Sequence, residues 1–496
     1  MKKTNLKYNT LILSAVLLLS FGCKKTLDVN TDPNNPLIEK ATPEVLFPSA
    51  VMSTAGRVGG ELTILGGMWS QYFTQANSSN QYKNIDSYNL TKNDLNGDYQ
   101  ELFSGALMDY QLALSKAQAR NDWKYNLMCT AMKAYTYEVL VDLYDKVPYT
   151  EAFQGLANLQ PKFDDGDKIY TGLIAEIDAA LAKDYTSGSL TATQQATDFI
   201  FKGDMGLWTQ FANTLKLKMY LRMVNANPSA AQAGIAKLYQ SGAKFLTINA
   251  GIATWDGTAN NSNPFYEYNI RRLNVQTNLK ASKTFTSWLT GNNDPRVVNY
   301  FGTANPVPMN QGDYSASATD QPTYANATVF AQTAKDPVWF FTAAESYFMQ
   351  AEALERYFGG TGAQAAYNAG LIAAFAQAGY VLTAGSTDPL WTTYAYPVGG
   401  TLENKIEAIV TQKWASFPGT HDLEAFFEQQ RTGYPSVSPV YSTDPNYVPG
   451  KLVYAINGVT PGKQFPRRLV FPAVSTDRNI NAPAPVPITT KVWWGK

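Results

Sequence analysis

Apolar residues recur every three to four positions along much of the chain, the spacing that lines one face of an α-helix. Leu127, Ala131, Ala134 and Tyr135 share one face of a helix that runs towards the segment LVDLY. Leu402, Ile406, Ile409, Val410 and Phe417 repeat the spacing, as do Ala344, Tyr347, Phe348, Ala351, Leu354 and Phe358. Residues 342–358 are followed by GGTG and then by AQAAYNAGLIAAFAQAG. Two helices of that length, a glycine turn and small residues where they cross have the form of a tetratricopeptide unit. Residues 94–119 with 124–145, and 167–183 with 198–225, are read as further helix pairs. No alternation of strand and helix runs through the chain, so a parallel sheet is not expected.

Long irregular stretches lie between the helices. Residues 249–278 mix aromatic side chains with Asn, Gly and Thr; 301–338 are low in charge; 432–496 are dense in proline. Loops of this length inside an ordered domain are usually functional. The expected fold is mostly α, an α-α superhelix of tetratricopeptide-like helix pairs with a large irregular loop-rich layer. It is expected to form a single helical domain over residues 41–496.

The start of the chain reads differently. Lys2, Lys3 and Lys7 precede an apolar run from Leu11 to Leu19. That run is too short for a permanent membrane span, which needs about 20 apolar residues, and it has the build of a secretory signal. Gly22 precedes Cys23 as in a bacterial lipobox, with Ser20 where leucine is usual. Residues 1–22 are therefore read as a lipoprotein signal peptide, Cys23 as the lipidated residue and 23–40 as the polar tether. Acyl chains contribute about 0.8 kcal/mol per buried methylene, which holds such an end on a membrane.

Charge then narrows the partners. Removing the three signal lysines takes the 40 basic residues to 37, against 40 acidic ones. Nucleic acid is excluded, because phosphate binding needs a basic surface. Cys129, between Met128 and Thr130, reads as a small buried core residue. The single histidine, His421, rules out an HExxH zinc site and is placed at a helix N-terminus. No GxSxG elbow or GxxxxGK[ST] loop is present. GGTGAQ at 359–364 joins two helices rather than following a strand, so it is a turn. Asp94, Asn96, Asp98 and Glu101 lack the glycine spacing of an EF-hand and are assigned to helix capping. The sequence calls for no catalytic residue, metal site or cofactor.

Several phrases in order carry a resemblance. LVDLYDKVPYTEAFQG (140–155), NNDPRVVNYF (292–301), ESYFMQAEAL (345–354), IVTQKWASFPGTHDLEAFFEQQRTGYP (409–435) and PRRLVFPAVSTDRNINA (466–482) join the lipobox and DVNTDPNNP. Together they resemble the SusD/RagB family of Bacteroidetes outer-membrane lipoproteins, in the branch with an Asp-Pro-Asn tether. The resemblance covers almost the whole mature chain. It implies a non-enzymatic lid with four tetratricopeptide-like helix pairs, anchored by lipid to the outer membrane and facing outwards. It implies a TonB-dependent β-barrel transporter as partner, to which the lid delivers oligomeric nutrient, usually glycan and sometimes peptide. Pro148, Asp294, Pro295, Arg296, Arg431 and Arg467 of these phrases are expected to fix turns and pair with carboxylates.

The residues themselves point to oligosaccharide. A sugar offers a flat apolar face edged with hydroxyls, matched by an open ring flanked by amide, carboxylate or guanidinium groups. The candidate contacts are Trp255, Asp256, Asn260, Asn261, Tyr266, Tyr268 and Arg271, with Tyr82 closing one side. Trp255 leads because small and polar neighbours are expected to leave it exposed. The alternative is a peptide- or protein-binding scaffold that uses grooves between the helix pairs. Their inner faces read as Ala, Leu and Tyr, which suits packing better.

Overall fold

A computed structural model describes residues 41–496 apart from position 318. The signal peptide, Cys23 and the tether to residue 40 lie outside the described residues. The helix Trp123–Tyr144 runs through the middle of the fold. Asp122 opens it by accepting a hydrogen bond from the Tyr125 amide at 3.2 Å. Every residue from Tyr125 to Tyr144 is buried, Cys129 among them. Such a helix needs neighbours all round. Met108–Ala119, Gly166–Leu181 and Met205–Arg222 supply them.

The expected pairing of 94–119 with 124–145 is therefore found, whereas that of 167–183 with 198–225 is not. Gly166–Leu181 buries Ile169, Leu173 and Ile177 and packs chiefly on Trp123–Tyr144, while Met205–Arg222 pairs with Pro228–Gln240. Asp198 sets where the later helix begins. Its carboxylate accepts from the amides of Ile200, Phe201 and Gly203 and from the Trp208 indole. Those bonds make 198–203 a turn, and the helix starts only at Met205 with Asp204 as its cap.

The tetratricopeptide-like pair is present as read. Thr342 caps Ala343–Tyr357, and Ala363–Gln377 packs back along it. Gly362 takes φ +82° in the turn, a left-handed conformation that glycine adopts without strain. A Cβ at Gly370 would sit 2.7 Å from the Phe348 ring, so the two helices meet only because that side chain is missing. Leu402–Ser416 and Asp422–Thr432 follow, with His421 at the N-cap of the latter. His421 Nδ1 lies 2.9 Å from a Glu345 carboxylate oxygen.

Five of these helices meet at a buried ionic cluster. Arg222 reaches Asp142 at 3.0 Å, Glu424 at 2.7 Å and Glu428 at 2.8 Å. Lys218 pairs with Glu138 at 2.8 Å, and Arg431 with Glu352 at 2.6 Å and Glu428 at 2.7 Å. Burial pushes the Asp142 carboxyl up, and the Arg222 charge beside it does not cancel that push. Burial acts the same way on Glu424, but Arg222, Lys218 and Lys413 together hold it low. Arg431 and Arg296, the latter 2.6 Å from Asp294, pair with carboxylates as expected; Arg467 instead bonds to the backbone oxygen of Lys496.

The loop layer is more ordered than its composition suggests. Among the described residues three two-stranded antiparallel ladders pin it: Phe73–Gln75 with Leu279–Ala281, Lys146–Pro148 with Phe163–Asp165, and Ala250–Ile252 with Val338–Phe341. One apolar core takes in side chains from Leu46 to Trp494, and a smaller one surrounds Phe348, Tyr367 and Leu371. The acidic run 94–101 does not cap a helix as anticipated. Leu95 occupies the N-cap at φ +55°, Asp94 closes a turn onto Thr91, and the Asn96 side chain binds the Val474 amide.

Candidate functional site

A cavity of about 350 Å³ opens between the first described helix and the aromatic loop. Pro43–Val58 contributes Ser53 and Arg57 to one wall. Trp255, Asn260, Tyr268 and Arg272 form the other. Two π-helical segments, Glu101–Leu107 and Glu267–Arg271, each place their first residue in the lining. A π-turn carries an extra residue per turn and is frequent at functional sites.

The cavity is mixed in charge and firmly braced. Glu101 accepts from Ser53 Oγ at 2.8 Å, and Glu267 takes the Ser262 hydroxyl and the Arg271 guanidinium. Arg57 donates to the Tyr268 hydroxyl at 2.7 Å, and the Arg272 guanidinium lies 4.3 Å over the Tyr268 ring. Behind the wall, Arg57 stands 3.6 Å from Asp98. Burial pushes the Asp98 carboxyl up, Glu61 beside it adds to the shift, and Arg57 only partly opposes it. Glu61 is raised by its own burial. Two like charges at one buried place disfavour full ionisation, so this pair retains a proton more readily than exposed carboxylates do.

Trp255 is 7% exposed and belongs to the main core, so the expected open ring is not there. Its neighbours in sequence are small and polar, but distant side chains cover it. Its indole Nε1–H lines up with no acceptor among the described residues although the atom is buried. An unpaired buried donor costs about 1–3 kcal/mol.

The other expected contacts separate. Tyr82 is buried, and its hydroxyl donates to the Tyr268 backbone carbonyl at 2.9 Å. It supports the wall from behind rather than closing the cavity. Asp256 and Asn261 are exposed and occupied with each other at 2.6 Å, Asp256 also accepting from Thr258. Arg271 is tied to the Gly257 carbonyl at 2.6 Å, with its guanidinium 5.5 Å over the Tyr266 ring. Neither Tyr266 nor Arg271 lines the cavity. The structure thus brings Trp255, Asn260 and Tyr268 together there, and adds Arg57, Glu101, Glu267 and Arg272. No group of three or more His, Cys, Asp or Glu side chains suited to a metal ion occurs among the described residues.

A family model described as "SusD-like: starch-binding associating with outer membrane" matches residues 33–455. Curated proteins give no match. Solved structures do. A chitin-binding SusD homologue from Flavobacterium johnsoniae is 22% identical with a TM-score of 0.73, over 90% of this chain and 97% of that one. A SusD homologue from Bacteroides uniformis is 22% identical with a TM-score of 0.73, over 91% and 99%. A SusD-like protein from Bacteroides thetaiotaomicron is 20% identical with a TM-score of 0.71, over 90% and 98%.

Proposed function

The chain belongs to the SusD-like family of starch-binding proteins that associate with the outer membrane, and from that premise we propose that it is a non-enzymatic lipoprotein that holds oligosaccharide at the Trp255–Tyr268 cavity and passes it to a TonB-dependent β-barrel transporter. The observation that carries the reading is the Trp255 Nε1–H, buried without an acceptor in a cavity that also presents Asn260 and Arg272. A sugar hydroxyl accepts from that indole, and the amide and guanidinium reach neighbouring hydroxyls. A chitin-binding relative makes N-acetylated oligosaccharides the first probes to try.

Arg272 is exposed and outside the core, so its removal tests binding without threatening the fold. Arg272→Ala should lower affinity by about 1–3 kcal/mol, a tenfold to hundredfold change, as truncations at binding hot spots do. Isothermal titration with a panel of starch- and chitin-derived oligosaccharides measures it. Affinity equal to that of the wild type would remove the cavity from the binding surface.

Cys23 supplies the anchor in this reading, and residues 41–496 act as one body. No helix among the described residues is long and apolar enough to cross a membrane. Cys23→Ala should move the protein from the outer-membrane fraction to the soluble one, or leave it unprocessed. Purification of the wild type in mild detergent should recover a large β-barrel partner in near-equal amount. A variant that still fractionates with membrane, or a wild type recovered alone in several growth conditions, would overturn the anchor or the partner respectively.

A further inference from the structure

The segment that walls the first cavity has a second side. Along residues 260–265 the lining alternates: Asn260, Ser262 and Pro264 face the first cavity, while Asn263 and Phe265 face another. Asn260 is left-handed and Pro264–Tyr266 forms a turn of helix, and the chain bent between them serves both cavities. The second cavity measures about 360 Å³ and lies between this segment, the loop leading into Val338–Phe341 and the end of helix Ala363–Gln377.

Its chemistry differs from that of the first. No arginine, lysine or glutamate lines it. The one carboxylate, Asp336, is taken up by the Thr333 amide and hydroxyl, each at 2.6 Å. Both polar atoms of the Gln332 side chain are buried there without a partner. Gln377 Nε2 donates to the Ser416 carbonyl at 3.1 Å, and its Oε1 has no partner. Either orientation of the Gln332 amide leaves one free donor beside one free acceptor. Trp339, half-buried, supplies an aromatic wall.

We infer that this second cavity is a binding site for an uncharged sugar residue, with the Gln332 amide bridging two adjacent hydroxyls and Trp339 against the ring. The inference rests on the glycan-binding reading above and extends it to a site of different selectivity. Adjacent sugar hydroxyls each donate and accept, which matches a free donor–acceptor pair. An anionic sugar meets no cation in this lining and would be desolvated without a counter-charge. The first cavity, with Arg57 and Arg272, carries no such restriction.

Each cavity holds one tryptophan, which makes the two separable. The full-length lipoprotein in mild detergent is labelled with 5-fluorotryptophan, and the ten signals are followed by fluorine NMR. Trp339→Phe and Trp255→Phe identify the two that matter. The probes are chitotetraose, maltotetraose and, as the charged case, tetragalacturonate. The Trp339 signal should shift saturably with a neutral probe and stay still with the charged one. Gln332→Leu should weaken the Trp339 response by about tenfold or more, the loss of one to two hydrogen bonds, and leave the Trp255 response unchanged. Movement of Trp255 alone overturns the second site and leaves the first standing. Movement of neither signal with any probe overturns both. A Trp339 response that survives Gln332→Leu, or that favours tetragalacturonate, overturns the assigned chemistry. The Trp255 signal also reports whether the variant is folded.

Discussion

Arg222→Met should destabilise the protein by about 3–5 kcal/mol, the cost of breaking a buried ionic contact from one side. Arg222 is fully buried, and its three guanidinium nitrogens divide among Asp142, Glu424 and Glu428. Methionine fills similar volume but leaves those acids facing one another in a water-poor interior. Lys218 and Lys413 still stand beside Glu424, and Lys413 and Arg431 beside Glu428, but Asp142 has no other cation among the described residues. The variant therefore loses the tie between Trp123–Tyr144, Met205–Arg222 and Asp422–Thr432. Arg222→Lys should rescue little, because a single ammonium cannot reproduce a three-way fork. Lys92→Ala provides the control. Lys92 and Asp477 are 2.6 Å apart but half exposed, and such pairs contribute about 0–1 kcal/mol. Urea unfolding of the three variants decides the matter. If Arg222→Met shifts the midpoint no more than Lys92→Ala does, the cluster does not hold the helices together.

That cluster also marks what the sequence conveys and what it hides. The helices announce themselves through apolar spacing, and the pair 343–377 could be read down to its glycine turn. Asp142, Arg222 and Glu424 stand in the same helical text, yet periodicity assigns no partner to a charged residue within a helix. Register inside helices is equally hard to see. Arg271 and Arg272 are adjacent, and only the second reaches the cavity. The π-turn over Glu267–Arg271 inserts a residue and rotates everything after it, a shift that a 3.6-residue reading does not contain. Arg57 was invisible as a site residue for another reason. It ends a helix far upstream, and only the tertiary fold sets it against Tyr268. Trp255 lines the cavity but is buried rather than open, because burial depends on side chains remote in sequence.

Trp255→Ala should now cost about 3–5 kcal/mol of stability, as truncation of a buried tryptophan typically does. It should abolish sugar binding as well, since the wall it supports would collapse. That variant alone cannot separate core from site. Trp255→Phe can. Phenylalanine keeps an aromatic ring in the core and deletes the Nε1–H, which has no acceptor among the described residues. Deleting an unpaired buried donor relieves a penalty of about 1–3 kcal/mol, which offsets the packing lost with the larger indole. Net stability should therefore move by no more than about 1.5 kcal/mol, the range of tolerated hydrophobic exchanges. Binding should respond differently. A hydroxyl that accepted from the indole loses its donor, at about 1–1.5 kcal/mol or roughly tenfold in affinity. Thermal unfolding and titration calorimetry on both variants give the answer. Unchanged affinity in a stable Trp255→Phe protein would show that the indole N–H meets no ligand and that Trp255 acts in the core alone. A stable variant with tenfold weaker binding places that one atom at the sugar.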